Sequence, residues 1–186
     1  MKISGDIITL EKREKLILSG EYMVISGCLS CTLSEHLIDL VGPQKTAVFE
    51  KYLFDGKLSY EAKATTKLIK LLPDTSGSFV VRKRVLEESI WKAIVQQLDA
   101  QYLTTKTRIC ILLCLIGESV GIIQDGACYL PTVLTQAEMA MYANCSREYL
   151  CTIRKQLIVT GELKKERHWV LLDWKRWRKQ YLHYLR

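Results

Sequence analysis

Residues 134–157, which read LTQAEMAMYANCSREYLCTIRKQL, constrain this chain more than any other stretch. They predict two short helices joined by a tight turn. Thr135, with Glu138 three residues on, has the spacing of a capping box, in which each side chain satisfies a backbone N–H at the helix start. Met139, Ala140 and Ala143 then form an apolar stripe at helical spacing. Asn144 follows, one of the few non-glycine residues that tolerates a left-handed turn. Ser146 restarts a helix as its N-cap, with Tyr149, Leu150, Ile153 and Leu157 on the expected buried side. Arg147, Glu148, Thr152 and Arg154 are left to point elsewhere. A second helix with its polar N-terminal end outward is what a helix-turn-helix offers to the major groove of a duplex. There Arg147 could donate two bonds to guanine O6 and N7, and Glu148 could accept from a cytosine amino group. A surface helix carrying an Arg-Glu pair is the alternative that spacing alone leaves open.

The residues that follow favour the first reading. Gly161 stands where a helix C-cap would need it. After it, residues 162–172 predict a short hairpin with a charged tip over 165–168, and Trp169 begins the returning strand. Helix-turn-helix followed by a two-stranded wing is a winged-helix arrangement. Asn144-Cys145-Ser146-Arg147-Glu148, the upstream Leu130-Pro131 and Leu134-Thr135-Gln136, and the wing resemble the DNA-binding domain of the Crp/Fnr family. That is the bacterial group of the cyclic-AMP receptor protein and the fumarate–nitrate regulator.

Charge agrees with that resemblance. The chain has 186 residues and a formal net charge of +7. Residues 131–186 hold eleven Lys or Arg against five Asp or Glu, so +6 of the total lies there. A basic segment beside a nearly neutral one is the electrostatic footprint of phosphate binding. Solvated surface lysines are the plainer explanation for a charge run standing alone. No run of about 18 uncharged apolar residues predicts a membrane span, and residues 1–6 lack the apolar core of a signal peptide. The expected location is cytoplasmic. The three histidines, His36, His168 and His183, lie far apart, and no paired-acid or nucleophile–base spacing stands out, so an enzyme is not expected.

The N-terminal part, to about Leu72, predicts short strands. Ile7 to Leu10 is an apolar run, and residues 16–27 read as two strands split by a turn at Ser19-Gly20-Glu21. Interruptions at Gly42-Pro43 and Phe54-Asp55-Gly56-Lys57 follow. Residues 65–72 alternate as a half-buried strand should, with Pro73 ending it. Strands this short and regular imply a β-roll, an incomplete jelly roll, or a barrel-like sandwich. Gly5-Asp6-Ile7-Ile8 and Leu18-Ser19-Gly20-Glu21 resemble, less closely, entry points of the Crp/Fnr sensory roll. By that resemblance the roll is truncated at its start. The cyclic-nucleotide members hold the cyclic phosphate with Gly-Glu, then Arg and a small hydroxyl residue. Here residues 49–59 read FEKYLFDGKLS, with no Arg and no Gly before Glu50. A buried phosphate would lack its strongest partner, so cyclic AMP is not expected. Cys28 and Cys31 invite comparison with iron–sulfur members, but cluster ligation wants four thiolates and this half supplies two. No cofactor and no metal is expected, and most of the seven cysteines read as small apolar packing groups.

From about Arg82 to Thr104 the period becomes helical. Leu86, Ile90, Ala93, Ile94 and Gln97 are the residues expected at a dimer interface, as the family's long helix implies; a helix buried within one chain is the alternative. Residues 105–116 predict a core helix of the winged domain, with Thr107-Arg108-Ile109 resembling the family's helix start. Residues 117–130 read as a loop. The tail has Trp174, Trp177 and Tyr181 at helical spacing, which suits packing more than stacking on bases.

The expectation is therefore an α+β chain: a degenerate cyclic-nucleotide-binding-like roll over 1–81, a dimerisation helix over 82–104 and a winged-helix domain over 105–186. The function the resemblance implies is a dimeric, sequence-specific transcription regulator working without cyclic AMP. Ser146, Arg147, Glu148 and Thr152 would meet bases, and Thr135, Gln136, Lys155, Lys164, Lys165, Arg167 and His168 the phosphates. Duplex DNA and a second copy are the implied partners, with RNA polymerase beyond them and the small-molecule effector unknown. Two alternatives stand beside this: a degenerate sensor whose winged helix docks proteins, and a thiol or metal redox-sensing regulator.

Overall fold

The computed structural model describes residues 2–72, 76–100 and 102–185. It divides into two compact units, residues 1–95 and 96–186.

The first unit is a β-roll of two antiparallel sheets. One sheet runs β1 (Lys2–Leu10), β7 (Thr66–Leu72), β2 (Gly20–Ser26), β5 (Thr46–Phe49); the other runs β4 (His36–Val41), β3 (Leu29–Leu33), β6 (Leu58–Ala62). Alternating residues of both sheets meet in one core. Tyr22, Val24 and Leu68 come from the first sheet, and Leu29, Cys31, Tyr60 and Ala62 from the second. Side chains of period two can reach such a core only on one face of each strand. The hairpin between β3 and β4 turns on Ser34 and Glu35, both at positive φ, which is the twist that closes two-residue hairpins.

One expected turn is absent. Gly20-Glu21 opens strand β2, and residues 16–19 before it form no strand for a turn to split off. The reason lies far along the chain: Glu21 pairs in register with Val48 of β5 and Leu71 of β7, and its side chain, only 4% exposed, is paired with Arg82 of the helix that follows the roll. A polar triplet reads as a turn when its partner cannot be seen. Of the residues before it, Leu16 is buried while Ile17 and Leu18 are exposed.

Helix α1 (Ser76–Ala100) carries the periodicity read over 82–104; Pro73 and the side chain of Gln97 lie outside the described residues. Its face toward the roll corrects an expectation. Ile90 is completely buried in the roll's core, with Leu86 and Ile94 packed against it, and Ala93 is half-buried. Ile90 is therefore taken up within its own chain, and Leu86 and Ile94 in part. Exposed apolar residues of α1 include others: Val80, Val81, Val85, Trp91, Val95 and Leu98, of which Trp91, Val95 and Leu98 follow at steps of four and three on one helical face. Both stripes are apolar, so periodicity alone could not say which one met the roll.

The second unit begins with α2 (Thr105–Val120), capped by Thr104, whose hydroxyl accepts from Thr107 N–H. Ile109, Leu112, Leu113 and Ile116 are buried along it, as an all-apolar core helix requires. Residues 117–130, expected to be a loop, instead end α2 and form a hairpin, β8 (Ile122–Gln124) and β9 (Ala127–Leu130). Asp125 and Gly126 both take positive φ at its tip. An Asp-Gly between apolar runs is a strong two-residue hairpin signal. Gly121 is the C-cap of α2, its N–H donating to Gly117 O, at a position where a Cβ would lie 2.4 Å from Cys128 Sγ. Then come α3 (Gln136–Tyr142), α4 (Arg147–Val159), β10 (Trp169–Leu171) and α5 (Trp174–Tyr181). Strand β10 pairs with β9, giving a sheet in the order β10-β9-β8. In α5, Trp174, Trp177 and Tyr181 are buried, so the aromatic tail packs.

Candidate nucleic-acid interface

The helix-turn-helix is built by short-range bonds. The Thr135 hydroxyl accepts from Glu138 N–H at 3.2 Å, and Thr135 N–H donates to the Glu138 carboxylate at 2.7 Å. Asn144 takes φ 49 at the turn, and Ser146 Oγ accepts from Tyr149 N–H at 3.1 Å. Leu150, Ile153 and Leu157 are buried, one face of α4. Tyr149, expected beside them, is 45% exposed; it stands a full 100° round the helix from Leu150.

A long-range clamp fixes the turn. Arg108 at the start of α2 donates from Nε to Ala143 O at 2.9 Å and from Nη2 to Asn144 O at 3.1 Å. The same guanidinium donates to Leu103 O at 2.9 Å and to Thr105 Oγ1 at 3.0 Å. One side chain thus ties the segment before α2 to the turn before α4. A planar, always-charged fork suits that task better than an ammonium would.

Ser146, Arg147, Glu148 and Thr152 are all exposed along α4. Hydrogen bonds from its own backbone N–H and from Ser146, together with the Arg147 charge, hold the Glu148 carboxyl below the usual carboxylate range. It is an anionic acceptor. The Thr152 hydroxyl donates back to Glu148 O at 3.0 Å. Thr135, Gln136 and Lys155 are exposed too, and so are Lys164, Lys165, Arg167 and His168 of the wing. Lys164 Nζ lies 2.5 Å from a Glu166 carboxylate oxygen, which pushes its ammonium pKa up. The wing's rungs are Lys164 N–H to Val170 O at 3.0 Å and Leu172 N–H to Glu162 O at 3.0 Å.

Arg154 has no role that its local spacing reveals. It donates from Nη2 to Glu166 O and Arg167 O, both at 2.7 Å, and to His168 O at 3.3 Å. Its guanidinium carbon sits 4.7 Å from the Trp169 ring centroid. No short-range spacing rule connects an arginine to carbonyls twelve to fourteen residues away. A cleft of about 520 Å³ opens beside it, lined among others by Thr135, Met139, Arg167 and Trp169.

The roll has a cavity of about 300 Å³, lined by residues of β3 to β6 and of α1, among them Cys31, Asp39, Tyr60, Arg82 and Leu86. Burial pushes the Asp39 carboxyl up, and the Arg82 guanidinium is paired with Glu21. Five cysteines are buried, Cys145 is half-buried and Cys151, on α4, is exposed. Desolvation pushes the Cys28 and Cys31 thiols up to about 12, the opposite of what a reactive or metal-binding thiol needs. Among the described residues no group of three or more His, Cys, Asp or Glu is placed to hold a metal ion. Among the described residues, too, no helix is long and apolar enough to cross a membrane.

No family model matches this sequence, and no curated protein does. Solved structures match in fold. A transcriptional regulator of the CRP/FNR family from Thermus thermophilus superposes with a TM-score of 0.70 at 17% identity, over 95% of this chain and 98% of that one. A cyclic nucleotide-binding domain containing protein from Listeria monocytogenes gives 0.70 at 15%, over 92% and 90%. FixK2 from Bradyrhizobium japonicum gives 0.63 at 16%, over 96% and 97%. The chain has their architecture: a β-roll, a long helix and a winged helix-turn-helix.

Proposed function

We propose that this chain is a dimeric, sequence-specific DNA-binding regulator of transcription of the Crp/Fnr type, working without cyclic AMP. One observation carries the reading: α4 presents Ser146, Arg147, Glu148 and Thr152 outward from a capped, clamped turn, beside an exposed basic wing. Arg147 pairs with guanine and Glu148 accepts from cytosine, while Lys155, Lys165, Arg167 and His168 meet phosphates. Lys164 contributes less, because Glu166 already holds it. The chain acts by binding, not by catalysis; the Thermus thermophilus protein it superposes on is a transcriptional regulator.

The second copy meets the exposed face of α1 at Trp91, Val95 and Leu98, not the stripe that faces the roll. Two half-sites about one helical turn apart follow from such a pair. RNA polymerase is the partner whose access the bound dimer alters. Any small-molecule effector lacks a cyclic phosphate, since the cavity in the roll offers a half-buried carboxyl at Asp39 and an arginine already paired with Glu21. The buried, protonated Cys28 and Cys31 speak against the redox alternative.

The test is selection of bound duplexes from a random pool by the full chain. A shared half-site is the expected result. Recovery of no common sequence, with no salt-sensitive shift on any fragment, would return the winged helix to the protein-docking alternative.

A further inference from the structure

Arg154 lies seven residues after Arg147, two turns along the same face of α4. The two arginines behave differently. Arg147 is exposed, whereas Arg154 is half-buried and its guanidinium is turned onto the wing. Three successive carbonyls, those of Glu166, Arg167 and His168, converge on it, and Trp169 lies against its plane. Residues 165–168 are bends rather than strand, so the tip sits above the last rung of the wing. With its carbonyls drawn inward onto one cation, the tip leaves the side chains of Arg167 and His168 exposed.

We propose that Arg154 is a positioning residue: it latches the wing tip to the recognition helix, setting where Arg167 and His168 meet the DNA backbone relative to Arg147, and reads no base itself. The inference rests on the DNA-binding reading above. Its physical ground is the cost of ordering. A loose tip must give up conformational freedom on binding, and a latched one has done so already. An ammonium replaces the guanidinium poorly: one nitrogen, Nη2, reaches all three carbonyls while the guanidinium plane lies on Trp169, and the shorter lysine, with no plane to stack, cannot do both.

The test uses the full chain with Arg154→Ala, Arg154→Lys and Trp169→Leu, alone and combined with Arg167→Ala, and the duplex pool selected by the unaltered chain. Tryptic cutting within the tip, at Lys164, Lys165 and Arg167, needs no DNA and reads the latch directly. Thermal unfolding of each variant establishes that the fold persists; should Arg154→Ala fail to fold, Arg154→Lys and Trp169→Leu carry the test. Arg154→Ala and Arg154→Lys are both expected to speed that cutting and to weaken DNA binding, each by about tenfold. Arg167→Ala is expected to weaken binding and flatten the salt slope in the unaltered chain, and to do neither once Arg154 is gone. Base preference stays the same.

Wild-type behaviour of Arg154→Lys would assign the residue to a direct phosphate contact and overturn the latch. So would independent, multiplying effects of Arg154→Ala and Arg167→Ala, or a change in the selected bases. Unchanged tryptic cutting in variants of a chain that does bind DNA defeats the latch alone. Absence of salt-sensitive binding by the unaltered chain defeats the DNA-binding reading, and the positioning role with it.

Discussion

Replacing Arg108 by alanine tests whether the turn before the recognition helix is held from a distance. The side chain makes four hydrogen bonds, two of which reach carbonyls 35 and 36 residues away, at Ala143 and Asn144. Bonds to a charged donor are worth about 1.5–3 kcal/mol when buried and nearer 0.5–1.5 when water competes. Arg108 is half-buried, so the two distant bonds together contribute about 2 kcal/mol, and the bond to Leu103 O adds about 0.5–1. Sequence-local donation to Thr105 adds little, because water replaces it. The sum is a loss of about 2–3 kcal/mol, which for a unit of about 90 residues lowers the melting temperature by roughly 10–20 °C. Three of the four tryptophans, Trp169, Trp174 and Trp177, lie in this unit, so fluorescence-detected melting follows it. Arg108→Lys keeps the charge but not the fork and recovers only part of the loss. A shift below about 3 °C for Arg108→Ala would show that the turn is held by its own caps, and the clamp argument would fail.

Other outcomes follow from the same geometry. Arg147→Ala should lose discrimination between related duplexes, while Lys165→Ala weakens all of them alike and lowers the salt slope by about one; equal behaviour of the two variants would remove the division of roles. Trp91→Glu, on the exposed face of α1, should convert a dimer to a monomer in sedimentation, whereas an unchanged mass would move the seam elsewhere. Gly117→Ala puts a Cβ 2.5 Å from the Trp174 ring; overpacking costs about 1–3 kcal/mol, against about 1 gained in helix propensity, and Trp174→Leu should rescue it. Five buried thiols, at Cys28, Cys31, Cys110, Cys114 and Cys128, sit at about 11 to 12 against an ordinary value of 9.0. Their folded values are raised, so stability is complete below about pH 9 and falls above it, by up to about 1.4 kcal/mol per pH unit for each thiol. Denaturation midpoints that stay level through that alkaline range would contradict their burial.

What the sequence revealed was whatever short spacings encode. Thr135 with Glu138, Asn144 at the turn, Ser146 as cap and Gly161 after the helix each act within four residues, and each is where those rules put it. The hairpin over 122–130 is marked only by Asp125-Gly126, because strands of three and four residues are too short to show an alternation of their own. Glu21 with Arg82, Arg108 with Ala143 and Asn144, and Arg154 with the wing are another matter. Each joins residues whose nearness exists only in the folded chain, and a lone charged residue carries no mark of its partner. The two apolar stripes of α1 differ only in what lies opposite them. Local pattern therefore specified the elements, while long-range pairing decided which faces and which arginines were spent inside the molecule.

The uneven exposure of the cysteines has a practical side. Of seven sulfhydryls, five are sheathed and one is half-covered, which leaves Cys151 open to solvent on the outer side of α4. A thiol-directed dye added to the native sequence would settle there first, on the very helix assigned to the groove. The molecule thus comes with an attachment point for a fluorescent reporter of docking, and no cysteine needs to be engineered in to obtain one.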